Sequence, residues 1–494
     1  MTERMPNWLK QRAMLTPDRP ALEFEGQTYS FSEVYLQAQQ YAYALSSKGI
    51  KKGDYIGLLI RNHPEAVFAI YGSQLIGAVA VMLNNRLTAG ELSWQLEDSK
   101  AAILLYDESF SVKVQEIHYP DEKKISLSDE SVSLEKQGSI EDEIDLHTIC
   151  SIMYTSGTTG KPKGVKQSYG NHWWSAVGSA LNLGLREEDT WLCAVPLFHI
   201  SGYSILMKSI IYGMRVKLYS QFDEKKVNED LLSGRVTIMS VVTAMLQRML
   251  RDLEEKSYHP NFRCALLGGG PAPKPVLEQC AQKGIPVFQT YGMTETASQI
   301  VTLPPEYSLS KLGSAGKPLF PSQIKIATSD GLKGPYAEGE ILAKGPNVTK
   351  GYLNREDANQ TAFVDGWFHT GDVGYLDEDG FLYVLDRRSD LIISGGENVY
   401  PAEIESVLLS FPGIQEAGVI GVPDEQWGEV PCAFLVARQE IDPQKVKAFC
   451  LGKLAKYKIP QSFILVDELP RNASNKLLRR KLRSLYEKRV ANEN

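Results

Sequence analysis

The chain has 494 residues, of which 43% are hydrophobic and 23% charged, and its formal net charge is −7. That length supports two or more domains with sizeable cores, and the composition is ordinary for a globular protein. The acidic balance disfavours a nucleic-acid partner, no apolar run reaches the ~18 residues that cross a bilayer, and six scattered cysteines without a C-x-x-C pair argue against a disulfide framework or a zinc site.

The N-terminus (MTERMPNWLKQRA) carries charge with no apolar stretch behind it. It does not read as a signal peptide, so a cytoplasmic location without stable membrane insertion is expected. Residues 1–148 alternate helix and strand patterns. Phe31–Leu45 reads as an amphipathic helix, and Tyr55–Ile60, Ala78–Leu83 and Ala101–Tyr106 read as strands. That rhythm predicts an α/β layer with a parallel sheet. Residues 107–148, acidic and rich in serine, read as a solvated surface excursion.

The rhythm continues through 149–300. Strands are predicted at Ile149–Tyr154, Trp191–Pro196, Val236–Val242 and Cys264–Leu267, and helices at Tyr169–Leu183, Met245–Leu253 and Pro275–Lys283, with another helix closing over Lys208–Gly213. Residues 301–386 change to short alternating runs among Gly and Pro (Gln323–Ile326, Gly339–Lys344, Gly380–Leu385), which predicts a small antiparallel β subdomain. The remainder patterns as a compact α+β unit. The expected architecture is therefore α/β, with a large N-terminal domain over 1–388, its β subdomain at about 301–386, and a small C-terminal α+β domain over 389–494.

The most informative stretch is YTSGTTGKPKGVK, residues 154–166. Set between a predicted strand and a predicted helix, it reads as a loop. Gly157, Gly160 and Gly164 let backbone approach a ligand. Thr155, Ser156, Thr158 and Thr159 offer hydroxyls, and Lys161 and Lys163 offer mobile charge. Amides, hydroxyls and ammonium groups on one loop suit a polyphosphate. The Walker pattern fails because Pro162 stands where Ser or Thr would hold a metal, which argues against a P-loop ATPase or kinase. No G-x-S-x-G is present, so a serine hydrolase is disfavoured. Two further motifs follow predicted strands, GGGPAP (268–273) and QTYGMTET (289–296), and strand ends of parallel sheets are where ligands bind. Glu295 beside a triphosphate can hold Mg²⁺, and the carboxylate of Asp372 in Thr370-Gly371-Asp372 suits a diol.

The string TSGTTGKPKG resembles the phosphate loop of the adenylate-forming superfamily, which includes acyl-CoA synthetases, firefly luciferases and peptide-synthetase adenylation domains. The resemblance implies ATP, Mg²⁺ and coenzyme A as reactants or cofactors. It implies that Gly268, Gly269 and Gly270 line the adenine and acyl pockets, that Thr290, Tyr291, Gly292 and Met293 flank the nucleotide with Tyr291 stacked on adenine, that Thr294 contacts phosphate and that Glu295 serves the metal. By the same resemblance Asp372 binds ribose and Arg387 the nucleotide, and Lys476 in LPRNASNKLLRR assists carboxylate attack on the α-phosphate. His199 in PLFHISG closes the acyl pocket, and Gly395 and Gly396 face the pantetheine arm. The small domain is expected to rotate about a hinge between two half-reactions. The chain departs from the family at Ser389, where the hinge is usually Asp or Lys, and at Asn475, where Gly usually precedes the lysine.

Taken with PNWLKQRAMLTPDRPAL, LLGGGPAP and TYGMTETASQIVTL, the likeness runs the whole length. It points to the branch of CoA ligases that activates an aromatic dicarboxylic acid for menaquinone synthesis. A non-reacting second carboxylate needs donors. Lys208, a cation inside the apolar run SILMKSIIYG, is the expected anchor, with Ser201, Ser240, Thr243 and Gln299 around the acyl group. A ligase for another aromatic or medium-chain acid, and an adenylation protein that loads a carrier thiol, stay open as alternatives, and so does a homo-oligomer.

Overall fold

The computed structural model describes residues 3–128, 138–155, 162–269, 272, 274–328, 334–386, 392–399, 401–438, 441–470, 477 and 479–493. The chain forms two compact units. One comprises Met1–Asn85, Leu92–Tyr154 and Gly164–Val384, the other Arg86–Glu91, Thr155–Lys163 and Leu385–Asn494.

Among the described residues, the larger unit holds two large sheets and a two-stranded pair, Arg4–Pro6 with Glu143–Asp145. The first has six strands in the order Lys163–Ser168, Ile149–Thr155, Val79–Leu83, Tyr55–Leu59, Ile103–Tyr106, Lys124–Ser126. Its central pairs are parallel. Their strands are apolar runs buried along almost their whole length, as expected of a sheet covered on both faces. Helix Phe31–Ser47 opens on a capping box between Ser30 and Glu33, and its buried Phe31, Val34, Ala38 and Ala42 fall at helical spacing.

Two expectations need correction in this region. Residues 107–148 are not simply a solvated excursion, because Val114, Ile117, Ile125, Leu127, Ile144 and Leu146 are buried and Lys124–Ser126 adds a parallel strand. These six buried residues are sparse in sequence, so composition alone hides them. The glycine-rich stretch does not run from strand to helix. It connects two neighbouring strands, because Lys163–Ser168 is extended before helix Tyr169–Leu183 begins. Val165 and Gln167 alternate inward there, and backbone bonds to residues 351–353 hold the strand on its other side.

The second sheet has 14 strands. Pro20–Phe24, Arg215–Leu218, Thr190–Cys193, Ile238–Val242, Cys264–Gly268 and Val287–Met293 are parallel neighbours. Ser298–Leu303 then turns back antiparallel on Val287–Met293. Beyond it the strands Ser314–Pro318, Leu382–Asp386, Trp367–Leu376, Gly339–Lys344 and Gln323–Ala327 continue antiparallel. The short alternating runs of 301–386 are thus hydrogen-bonded to the parallel half through Ser314–Pro318. Helix Ile200–Tyr212 stops at Gly213, whose φ of 75° is a left-handed cap.

The smaller unit carries a five-stranded sheet, with Ser462–Leu465 beside Gly428–Ala437, and helices Pro401–Leu409, Pro443–Leu451 and Arg479–Glu493. Gly395 and Gly396 form the two-residue turn between Ile392–Ser394 and Glu397–Val399, with φ of 57° and 83°. Positive φ at both positions is the hairpin geometry that glycine supplies. A Cβ on Gly395 would sit 2.6 Å from the Trp427 ring.

Candidate active site

The turn that follows Val287–Met293 is the best-defined part of the site. Thr294–Thr296 is a single 3-10 turn, and Ser298–Leu303 leaves it antiparallel to the strand it came from. Register slips between Tyr291 and Gly292, and a Cβ on Gly292 would lie 2.2 Å from the Ser298 carbonyl oxygen, so only glycine fits there. Ala297 and Ser298 have φ of 51° and 111°. Such backbone costs of order 1–3 kcal/mol per residue and persists only where the surroundings hold it.

Glu295 is 2% exposed. Its Oε1 accepts from the Tyr352 hydroxyl at 2.9 Å. No group of three or more His, Cys, Asp or Glu that could hold a metal exists among the described residues. One buried, oriented carboxylate beside the Thr294 hydroxyl still fits Mg²⁺, because that ion keeps several waters and takes most of its protein-side charge from one or two carboxylates plus substrate phosphates.

Asp372 is 2% exposed, and its Oδ2 accepts from the Tyr291 hydroxyl at 2.8 Å. Its own N–H donates to Thr370 Oγ1, while Thr370 Oγ1 donates to the Ile341 carbonyl. Tyr291, the expected adenine platform, is 3% exposed, clusters with Ile300, Ile341 and Phe368, and donates its hydroxyl to Asp372. A hydrogen bond to a charged group contributes about 1.5–3 kcal/mol. Tyr291→Phe should therefore raise KM for ATP about tenfold or more and leave KM for the acid alone. Initial-rate kinetics with each substrate varied would check this, and an unaltered ATP KM would contradict it.

Gly268 and Gly269 end the strand beside Val287–Met293. The Thr290 hydroxyl donates to the Leu267 carbonyl and would lie 3.5 Å from a Cβ on Gly268, so these expected nucleotide-side residues are neighbours. Gly269 has φ of 91°. Thr155 Oγ1 approaches the Lys163 carbonyl at 3.5 Å. Ser156, Gly157, Thr158, Thr159, Lys161, Gly270, Arg387, Ser389, Asn475 and Lys476 lie outside the described residues.

The acyl-side candidates divide. Lys208 is 2% exposed in the middle of helix Ile200–Tyr212. Among the described residues its neighbours are the Ser204 hydroxyl at 3.5 Å and the Trp191 ring at 5.4 Å, and no carboxylate pairs with it. Burial holds its ammonium down to about 7. Trp191 Nε1 donates to Ser240 Oγ at 3.1 Å, so Lys208, Trp191 and Ser240 form one connected wall. Gln299 is buried, and among the described residues neither of its amide atoms has a hydrogen-bond partner. His199 precedes helix Ile200–Tyr212 with its ring 4.8 Å from that of Phe198. Thr243 opens helix Thr243–Leu253, and Ser201 is exposed.

Sequence reading missed Tyr352, Trp191, Gln167, Ser175 and Asn347, all of which touch the site. Tyr352 lies 57 residues from Glu295 and Gln167 lies 127 from Thr294, and no local pattern signals contacts of that span.

Two buried, hydrogen-bonded carboxylates, Glu295 just past the strand Val287–Met293 and Asp372 within the antiparallel strand Trp367–Leu376, sit in the larger unit of a two-unit α/β protein. The model of the AMP-binding enzyme family matches residues 9–353, and that of the AMP-binding enzyme C-terminal domain matches 403–476. The chain belongs to the AMP-binding enzyme family, as the sequence resemblance implied. It is 56% identical to the 2-succinylbenzoate–CoA ligase of Geobacillus sp. (strain WCH70), over 98% of each chain. It is 53% identical to the ligase of that name from Bacillus anthracis (strain A0248), over 99% of this chain and all of that one. A solved Bacillus subtilis o-succinylbenzoate CoA synthetase, a double mutant bound to the product analogue OSB-NCoA, aligns with TM-score 0.91 at 51% identity, covering 97% of this chain and 98% of that one. The same organism's synthetase in complex with ATP and magnesium ion aligns with TM-score 0.76 at 52% identity, covering 97% of this chain and all of that one. No helix among the described residues is long and apolar enough to cross a membrane.

Proposed function

We propose that this chain is an AMP-forming acid–thiol ligase that joins 2-succinylbenzoate to coenzyme A, in the cytoplasm, on the route to menaquinone. The acid's carboxylate attacks the α-phosphate of ATP, forming the acyl adenylate and releasing pyrophosphate. The thiol of coenzyme A then attacks the acyl carbonyl, and AMP leaves.

Bringing an anionic carboxylate to an anionic phosphate needs cations and fixed donors. In this reading the hydroxyls and lysines of 155–163 take the phosphates with Thr294, Asp372 takes the ribose diol, and Arg387 and Lys476 supply charge to the nucleotide and the attacking carboxylate. Mg²⁺, when bound, bridges phosphate oxygens and offsets their charge, and Glu295 is the residue that would hold it. His199 closes the acyl pocket, and Gly395 and Gly396 leave room for the pantetheine arm.

The observation that carries the choice of acid is Lys208. A buried ammonium without a carboxylate partner is costly, and an aromatic acid with a second, non-reacting carboxylate supplies the missing counterion. A fatty acyl chain would leave it unpaired.

The test is pyrophosphate release with Mg·ATP over 2-succinylbenzoate, benzoate, 4-coumarate and octanoate, with and without coenzyme A. CoA-dependent turnover confined to 2-succinylbenzoate is expected. Turnover on octanoate or benzoate at comparable efficiency would overturn the choice of acid.

A further inference from the structure

The turn Thr294–Thr296 and the strained Ala297 behind it are gripped by their carbonyls. The Thr294 carbonyl accepts from Gln167 Nε2 at 2.7 Å. That of Glu295 accepts from the Thr349 backbone N–H at 2.7 Å. That of Thr296 accepts from Asn347 Nδ2 at 3.0 Å, and that of Ala297 from Ser175 Oγ at 2.7 Å. Four consecutive carbonyls are thus held by donors from a strand, a loop and a helix distant in sequence, and every donor residue is buried. Glu295, Thr296 and Ala297 are buried away from water, so their carbonyls must be met by protein donors, and here those donors are drawn from elements distant in sequence. The grip maintains a backbone that would otherwise relax.

Gln167 is itself held in one orientation. Ser151 Oγ donates to its Oε1 at 3.0 Å, and His172 Nε2 lies 3.2 Å from the same hydroxyl. With the Ser151 proton committed to Gln167, His172 must donate from Nε2, which fixes its tautomer. Burial, with the nearby Lys208 charge, pushes the His172 pKa down to about 3, so its imidazole stays neutral.

We infer that Gln167, Ser175 and Asn347 are positioning residues for adenylate formation: by clamping the carbonyls of 294, 296 and 297 they aim the Thr294 hydroxyl and the Glu295 carboxylate at the Mg²⁺-bound phosphates. This rests on the proposed role of Glu295. Groups that orient a metal-facing residue are worth 10–100-fold in metal affinity or activity.

The experiment compares wild type, Gln167→Met and Ser175→Ala in three measurements: ATP–pyrophosphate exchange as a function of Mg²⁺, thioester formation from pre-made acyl adenylate, and calorimetric binding of a non-hydrolysable ATP analogue with and without Mg²⁺. Both variants should lose about 10–100-fold in exchange, need more Mg²⁺ for half-saturation, and lose the Mg²⁺-dependent part of analogue binding. Thioester formation and KM for the acid should hold. Equal loss in both half-reactions, or unchanged Mg²⁺ dependence in either variant, overturns the inference. Ser175→Ala removes one oxygen and keeps the test decisive if Gln167→Met does not fold. Failure of wild type to exchange pyrophosphate with any acid would instead sink the ligase reading itself.

Discussion

Lys208→Met should stabilise the protein and cripple it for its substrate at the same time. The ammonium is buried, has no carboxylate partner among the described residues, and is held down to about 7 against an ordinary 10.5. Replacing an uncompensated buried charge by an apolar side chain of similar length is stabilising by about 1–4 kcal/mol where the comparison has been made for buried ionic groups. Removing one partner of a buried charge pair in a complex costs about 2–5 kcal/mol. KM for 2-succinylbenzoate should therefore rise by about 30-fold or more, while KM for benzoate barely moves. The pH dependence has a definite sign. Between 7 and 10.5 the folded protein binds fewer protons at this lysine than the unfolded chain, so this group's contribution to stability rises with pH. The stability gap between variant and wild type should be widest at or below pH 7 and close toward pH 10. If Lys208 anchors the second carboxylate as proposed, binding needs its charged form, so wild-type KM for the diacid should be lowest below pH 7 and climb above it. Thermal unfolding and initial rates across pH would read both. A variant that is less stable and equally impaired on both acids would show Lys208 to be a packing residue.

Much of this protein is legible before folding is considered, for physical reasons that also mark where legibility stops. The parallel strands Tyr55–Leu59 and Val79–Leu83 are apolar runs because both their faces are covered, and helix Tyr169–Leu183 has its caps, Ser168 and Gly184, in plain view. The motifs that carry the family resemblance are local strings of glycine, hydroxyl and charge, so they survive being read in one dimension. What escapes is anything set by pairing. The strand Lys163–Ser168 is too short and polar to read as one, and it is extended because residues 149–155 and 349–353 flank it. Residues 107–148 look solvated because their apolar residues are few, yet Val114, Ile117, Ile125, Leu127, Ile144 and Leu146 are buried.

The same limit applies inside the site. Glu295 and Asp372 can be picked from their motifs, but their partners cannot. Tyr352 reaches Glu295 from 57 residues away, and Tyr291 reaches Asp372 across 81. The sequence offers Tyr291 as a ring, and only the fold shows that its hydroxyl also donates to the Asp372 carboxylate. Lys208 is the converse case. One cation in an apolar helix is ambiguous as text, since lysines at such positions commonly reach back to solvent. At 2% exposure that escape is closed.

Glu295→Gln should separate the two half-reactions. The substitution keeps size and shape, and the amide oxygen can still accept from the Tyr352 hydroxyl, so the turn should stand and the melting temperature should be unchanged or higher. If Glu295 holds the metal as proposed, what is lost is a full negative charge beside the phosphates. Removing one preorganised group that stabilises developing charge costs about 10²–10³ in rate. Adenylate formation should fall by that factor and need more Mg²⁺, because a neutral amide holds the ion poorly. Thioester formation from synthetic acyl adenylate involves neither triphosphate nor the metal that bridges it, and should proceed at nearly the wild-type rate. Tyr352→Phe is the necessary companion. It leaves the buried carboxylate charged but without its donor, which costs about 1–3 kcal/mol of stability, so it should lower the melting temperature while reducing adenylate formation less than Glu295→Gln does. The two variants therefore move stability and chemistry in opposite proportions. If Glu295→Gln slowed both half-reactions equally, or if both variants lost activity only in step with stability, Glu295 would be a structural carboxylate and the metal would have to be held elsewhere.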